Sequence, residues 1–379
     1  MRAGAERMQY IQKNAELLEL ADRLDGAALI AADTEAAGYH RYRDTVCLLQ
    51  LSTRLDTYVI DALALPDLSP LARIFEQEQT EIVFHDADYD LRLLGRDFGF
   101  TITTLFDTKI AAQFVGELAF GLGSLVEKYL GITLEKKHQR ADWAQRPLPA
   151  DMLHYAAEDT RHLPGLRDAL REELVKRGRL EWAQEEFRLA QLSRWATTEE
   201  AEAFLRTKGA RDLKPRELAV LRELHAWRER AAESRDVASF RVLSNEALLE
   251  ISRRMPTRVA DLAEIPGLGP SVIEKRGGEL IEAVQRAIRL EEAHWPRFPR
   301  HPRRPPPDAE FEARIEKLKT ARDRVAQELQ LDRGFLMPRQ QLEDIARERP
   351  RTREQLLQVR DIRDWQADAL GEEILKAIR

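Results

Sequence analysis

The sequence predicts an α/β domain followed by two related all-α domains. Three observations carry this. The first half alternates between short apolar runs and helix-like stretches, which argues for an α/β or α+β domain. The back half follows helical periodicity throughout. Within it, residues 243–284 align without a gap to residues 337–378.

In the first half, residues 27–33 (AALIAAD) form an apolar run that ends on a carboxylate. Residues 45–52, 57–61 and 81–85 predict three further strands, and Gly38 lets the chain turn between the first two. DYDLRLLGRDFG then predicts a helix closed by its glycine. Residues 106–131 read as helices broken at GLGS, and residues 150–205 as strongly helical.

In the repeat, Leu248 meets Leu342, Ile251 meets Ile345, Pro256 meets Pro350, Leu262 meets Leu356 and Gly277 meets Gly371. Two copies do not make a solenoid, so two small helical domains are expected. Between them, six prolines from Pro296 to Pro307 predict a stiff extended linker.

The hydrophobic share of 43% is enough for packed cores, and the 33% charged share suggests long exposed helices. The single cysteine, Cys47, excludes an internal disulfide and a cysteine zinc site, which fits a reducing compartment. The N-terminus lacks the apolar region of a signal peptide, and no stretch approaches the ~20 apolar residues of a membrane helix. A cytoplasmic protein without a membrane partner is expected. The net charge of -6 divides unevenly: residues 211–379 hold 34 basic and 31 acidic residues, and residues 1–210 hold 26 and 35. An acidic front suits a domain that holds cations.

Asp33 and Glu35 follow the first apolar strand at a spacing of two, which places both on one face. Two adjacent carboxylates stay ionised only with positive charge between them, and carboxylate oxygens suit Mg²⁺ and Mn²⁺. FHDADYDLRLL then supplies Asp86, Asp88 and Asp90. Asp86 reads best as a helix cap, whereas Asp90 lies inside the helix. In MLHYAAEDTRHL, Tyr155 and Asp159 are four apart, about 40° of helical rotation, and share a face. His154 is five from Asp159, about 140° away, and diverges from it.

These three segments, in this order, resemble the exonuclease motifs of the DEDD superfamily, and QRADWAQRPLP (residues 139–149) resembles the stretch before the third motif in ribonuclease D. The repeats resemble HRDC domains. The resemblance implies a ribonuclease H-like exonuclease domain over residues 1–205 and an HRDC domain over 212–290. A Pro-rich linker over 291–310 and an HRDC-like domain over 311–379 would follow. It also implies metal binding by Asp33, Glu35, Asp90 and Asp159, with two divalent cations, Mg²⁺ or Mn²⁺, and no small-molecule cofactor. Asp33 would bridge the ions. Glu35 and Asp159 would complete the site of the water-activating ion, and Asp90 would serve the other. Tyr155 would orient the attacking water, which places the chain in the tyrosine branch; His154 satisfies the spacing of the histidine branch.

The implied activity is 3′→5′ hydrolysis of RNA with a single-stranded 3′ end, releasing nucleoside 5′-monophosphates, with precursor tRNA as the expected partner. The alternatives are a DNA exonuclease with the same motifs, or a non-catalytic nucleic-acid scaffold. Arg146 is a candidate for a phosphate, and Trp143 either stacks a base or anchors the fold. Family members often carry an aromatic residue directly after Asp-x-Glu. This chain has Ala36, with Tyr39 and Tyr42 nearby, and Tyr58 reads as core. IPGLGP (residues 265–270) can approach a phosphate through its glycines, with Arg253, Arg254 and Arg258 nearby; the second repeat has VRDIRD there.

Overall fold

The computed structural model describes residues 7–65, 67–135, 137–195, 200–299 and 309–378. Six strands form one sheet: β1 (Arg7–Ile11), β2 (Leu29–Ala36), β3 (Val46–Ser52), β4 (Asp56–Asp61), β5 (Glu81–Phe84) and β6 (Leu105–Asp107). Their spatial order is β1-β4-β3-β2-β5-β6. β2, which carries Asp33 and Glu35, therefore lies between β3 and β5. It pairs in parallel with β5 from Leu29↔Glu81 to Ala31↔Val83.

Helices surround this sheet: α1 (Asn14–Leu24), α2 (Ala72–Glu76), α3 (Asp88–Phe98), α4 (Thr108–Val115), α5 (Leu122–Leu130), α6 (Ala150–Arg161), α7 (Leu163–Lys176) and α8 (Leu180–Ala190). The two faces of β2 enter different cores. Ile30 and Ala32 pack with Leu17, Leu49, Tyr58 and Phe84, while Ala31 packs with Val83, Phe106 and Phe114. Tyr58 is core, as expected. α6 is held against the sheet by a buried hydroxyl pair, Ser52 Oγ and Thr160 Oγ1, 2.8 Å apart. α3 ends at Gly99, whose φ of 72° is left-handed and favours glycine.

Two strands escape the sequence reading. β1, RMQYI, has a charged and a polar residue among its five and makes no apolar run, and β6, with three residues, is too short to show a period. β6 overlaps the start of the stretch read as helix. The long helical stretch from residue 150 is interrupted before Leu163–Pro164 and again at Gly178, whose φ is 64°.

The first helical repeat comprises α9 (Pro215–Glu233), α10 (Ser239–Val242), α11 (Asn245–Arg254) and α12 (Pro270–Ile288). The second comprises α13 (Ala309–Leu329), α14 (Arg333–Leu336), α15 (Arg339–Glu348), α16 (Arg353–Gln358) and α17 (Asp364–Ala377). The repeat extends beyond the aligned residues. Buried Arg228 donates to Leu243 O at 3.3 Å, and its counterpart Arg322 donates to Met337 O at 3.2 Å. Met255 and Arg349, at matching positions, both have positive φ, 47° and 50°.

The chain forms two compact units, and the second repeat belongs with the exonuclease fold. One unit spans residues 1–35, 46–195 and 305–379; the other spans 36–45 and 196–304. In the first unit, Phe114 meets Trp365 and Phe335 edge-on at 4.8 and 4.9 Å. Arg179 donates to Phe114 O at 2.8 Å and to Leu329 O at 2.6 Å, joining α4 to α13. Glu185 accepts from the backbone N–H groups of Asp364 and Trp365, both at 2.9 Å. A carboxylate therefore neutralises the N-terminus of α17. That N-terminus starts on the last residue of VRDIRD, the counterpart of IPGLGP. In the linker, residues 300–308 lie outside the described residues.

Candidate active site

β2 and α6 bring the acidic residues together. Asp33 and Glu35 share a face of β2, and Asp159 lies in the last turn of α6. One carboxylate oxygen from each falls within 4.8 Å of the others. Asp90, buried in the first turn of α3, stands close enough for its charge to raise both Asp33 and Glu35. Thr34, between the two strand acids, donates its hydroxyl to Asp90 Oδ1. The four carboxylates thus divide into a close group of three and a fourth held by Thr34.

Their electrostatics are those of an uncompensated anion cluster. Burial, with the charges of Asp90, Asp159 and Glu35, pushes Asp33 well above the ordinary carboxylate range. Burial, Asp159 and Asp90 do the same to Glu35. Burial raises Asp90 to about 7 against the opposing hydrogen bond from Thr34. Burial and the neighbouring Glu158 raise Asp159 to about 7. Such a set is stable as anions only when cations share it. The donors are hard oxygens at short mutual range, which fits Mg²⁺ or Mn²⁺ and not a soft metal.

Tyr155 and His154 separate as helical geometry demands. The phenol is half-buried and raised by burial and by the charges of Asp159, Glu35 and Asp33. It therefore faces the cluster. The His154 side chain is 66% exposed, with Nε2 at 4.0 Å from Glu158.

Arg146 and Trp143 are corrected by their surroundings. The Arg146 guanidinium forks onto Asp61, with Nε at 2.8 Å from Oδ2 and Nη2 at 2.5 Å from Oδ1. It also donates to the carbonyls of Trp143, Gln145 and Cys47. An arginine so engaged anchors the chain and offers no fork to a phosphate. Trp143 is 2% exposed and stacks on Tyr155, so its ring has no face open to a base.

Asp86 does not cap α3. Its φ is 66° and its carboxylate pairs with Lys109 at 2.5 Å. Asp107 takes the N–H groups of Asp86 and Ala87 at 3.3 and 2.8 Å, together with those of Lys109 and Ile110. This buried carboxylate braces the entry to α3, and hence Asp90. Its visible signal was an aspartate directly before the apolar TKIAAQFV, a capping pattern. Asp88 is exposed and pairs with Arg92 and Ser193.

In the second unit, Tyr42 packs against the core of the first repeat. Tyr39 is 43% exposed and lies 5.4 Å from Phe240. Gly267 takes φ 77°, as a turn glycine does. Arg253 pairs with Glu250, Arg254 with Glu250 and the Glu264 carbonyl, and Arg258 with Asp261. The three positive charges expected beside the hairpin therefore share two acids, Glu250 and Asp261.

A mixed six-stranded sheet flanked by helices, with an acidic cluster at β2, α3 and α6, has the architecture of a ribonuclease H-like 3′–5′ exonuclease domain. The family model described as 3′–5′ exonuclease matches residues 8–175, and the HRDC domain model matches residues 217–284 and 311–378. Ribonuclease D of Nitrobacter hamburgensis is 33% identical over 77% of this chain and 77% of its own. That of Pseudomonas paraeruginosa is 29% identical over 99% and 98%. The crystal structure of Escherichia coli RNase D, described as an exoribonuclease involved in structured RNA processing, superposes with a TM-score of 0.73. It is 28% identical and covers 98% of each chain. The chain belongs to the ribonuclease D family and is a 3′–5′ exoribonuclease.

Proposed function

We propose that the enzyme hydrolyses the terminal phosphodiester of RNA with a single-stranded 3′ end, including precursor tRNA, at the Asp33–Glu35–Asp90–Asp159 cluster. The observation that carries this is the approach of Asp33, Glu35 and Asp159 within 4.8 Å, with Asp90 beside them. Asp33, Glu35 and Asp159 would hold one divalent cation, and Asp90 would help Asp33 hold a second. Bound Mg²⁺ or Mn²⁺ supplies water activation and neutralises charge on the phosphate and the leaving 3′ oxygen. The protein's own groups provide orientation. Tyr155, on the Asp159 face of α6, directs its hydroxyl toward the attacking water. Burial and the neighbouring anions keep that phenol protonated, so it acts by hydrogen bonding and not as a base. Thr34 holds Asp90 in place. A terminal nucleotide must leave its helix to enter such an acidic, partly buried site, which favours single-stranded ends.

The test is digestion of a precursor tRNA with a 3′ trailer, a matched single-stranded RNA and the same sequence as DNA, each with Mg²⁺ and with Mn²⁺. Trimming of both RNAs to nucleoside 5′-monophosphates, faster than DNA, is expected. Equal or faster loss of DNA would favour the deoxyribonuclease reading. Binding without mononucleotide release would favour a scaffold.

A further inference from the structure

In the connection from α5 to α6, residues 137–149 include no regular helix or strand. Such a segment is held by its side chains, and here the anchors are specific. Asp61, at the end of β4, is fully buried and takes the fork of Arg146. It also accepts from the Tyr10 hydroxyl at 2.5 Å and from the N–H groups of Leu63 and Ala64. The same guanidinium donates Nη1 to Trp143 O at 2.7 Å. One charge pair thus ties the sheet to the backbone of Trp143. A bidentate Arg–carboxylate pair fixes direction as well as distance.

The ring that this tie positions lies against Tyr155. The indole and phenol are stacked, with centroids 6.2 Å apart and planes 29° apart. His138, from the same segment, meets that phenol edge-on at 5.6 Å. Tyr155 is half-buried, and α6 fixes its backbone but not its rotamer. The packed indole restricts it.

We propose that Trp143 is a positioning residue for Tyr155, and that the Asp61–Arg146 pair anchors Trp143 for that purpose. The inference rests on the reading of Tyr155 as the group that orients water. Displacing a group near the reacting atoms by about 1 Å can cost ~10²-fold, so partial loss of this restraint has a measurable effect.

The experiment is a double-mutant cycle on the full chain: Trp143→Leu, Tyr155→Phe and the pair. kcat and KM are measured on a single-stranded RNA with saturating Mn²⁺, and Tm is followed by circular dichroism. Trp143→Leu is expected to lower kcat about tenfold with KM changed less than about twofold. In the Tyr155→Phe background the same substitution is expected to cost less than about twofold. An undiminished kcat in Trp143→Leu, or a tenfold loss that recurs in the Tyr155→Phe background, overturns the proposal. Should Trp143→Leu fail to fold, Trp143→Phe replaces it, with about a threefold loss that likewise disappears beside Tyr155→Phe; a loss that persists there overturns the proposal. If Tyr155→Phe alone keeps full kcat, the reading of Tyr155 has failed and the inference falls with it. Additive losses remove the inference and leave Tyr155 its role.

Discussion

The hydroxyl of Thr34 donates to Oδ1 of Asp90, linking strand β2 to helix α3 inside the acidic cluster. Thr34 lies between two of the acids whose charge Asp90 opposes, so it fixes the fourth carboxylate from within the motif. Thr34→Val keeps the shape and removes the donor. It is expected to lower kcat about tenfold and to raise the Mn²⁺ concentration needed for half-maximal rate, while Thr34→Ser retains most of the activity. Steady-state kinetics across a Mn²⁺ titration checks this; equal activity in Thr34→Val would show that Asp90 needs no such support.

The cluster should weaken the metal-free protein as pH rises. Asp90 and Asp159 titrate near 7 in the fold, against an unfolded value near 4. Between those values the folded state binds more protons than the unfolded state, so stability falls as pH climbs from about 4 to about 7. Asp33 and Glu35, raised by burial and by the neighbouring acids, contribute in the same direction. Calorimetry in EDTA is expected to show this contribution at pH 8 as a Tm gain in Asp33→Asn. Mn²⁺ should raise the wild-type Tm and leave Asp33→Asn nearly unchanged. A metal-free Asp33→Asn less stable than wild type at pH 8 would contradict the assignment.

Tyr155 and His154 give opposite outcomes. Tyr155→Phe is expected to cut kcat by about 10²-fold, within the range of a lost proton-handling group. His154→Ala, exposed and beside Glu158, is expected to stay within about twofold of wild type. The reverse pattern in single-turnover rates would move the enzyme to the histidine branch.

The second repeat and the exonuclease fold share an apolar core, and the polar contacts between them can be removed one at a time. Glu185→Ala removes both acceptors at the start of α17 and is expected to cost about 2 kcal/mol of stability. Gly116→Ala is expected to be worse, because its φ is 91° and a Cβ there would stand 2.3 Å from Gln330 O. Denaturant melts check both. Wild-type stability in Gly116→Ala would mean that the contact does not form.

Local periodicity made part of this protein legible. Asp33 and Glu35 share a strand face because that period is two, and Tyr155 and Asp159 share a helix face because that period is 3.6. The structure gathers what those two rules paired. Asp90 was found through the order of the motifs and not through geometry, since its partner Thr34 is 56 residues away. Arg146 was misread for the same reason. Its partner Asp61 lies 85 residues earlier, and nothing local shows that its fork is engaged. Trp143 offered two readings until its burial against Tyr155 removed one. The seating of Trp365 on Glu186, 179 residues away, left no trace in the repeat alignment. Long-range pairing separates what was read from what was not.

The most direct measurement is digestion of a 5′-labelled single-stranded RNA by wild type and Asp33→Asn with Mn²⁺, resolved to single nucleotides. The account predicts a ladder that shortens from the 3′ end with wild type and an intact strand with Asp33→Asn. Internal fragments from wild type, or an unchanged ladder with Asp33→Asn, would contradict it.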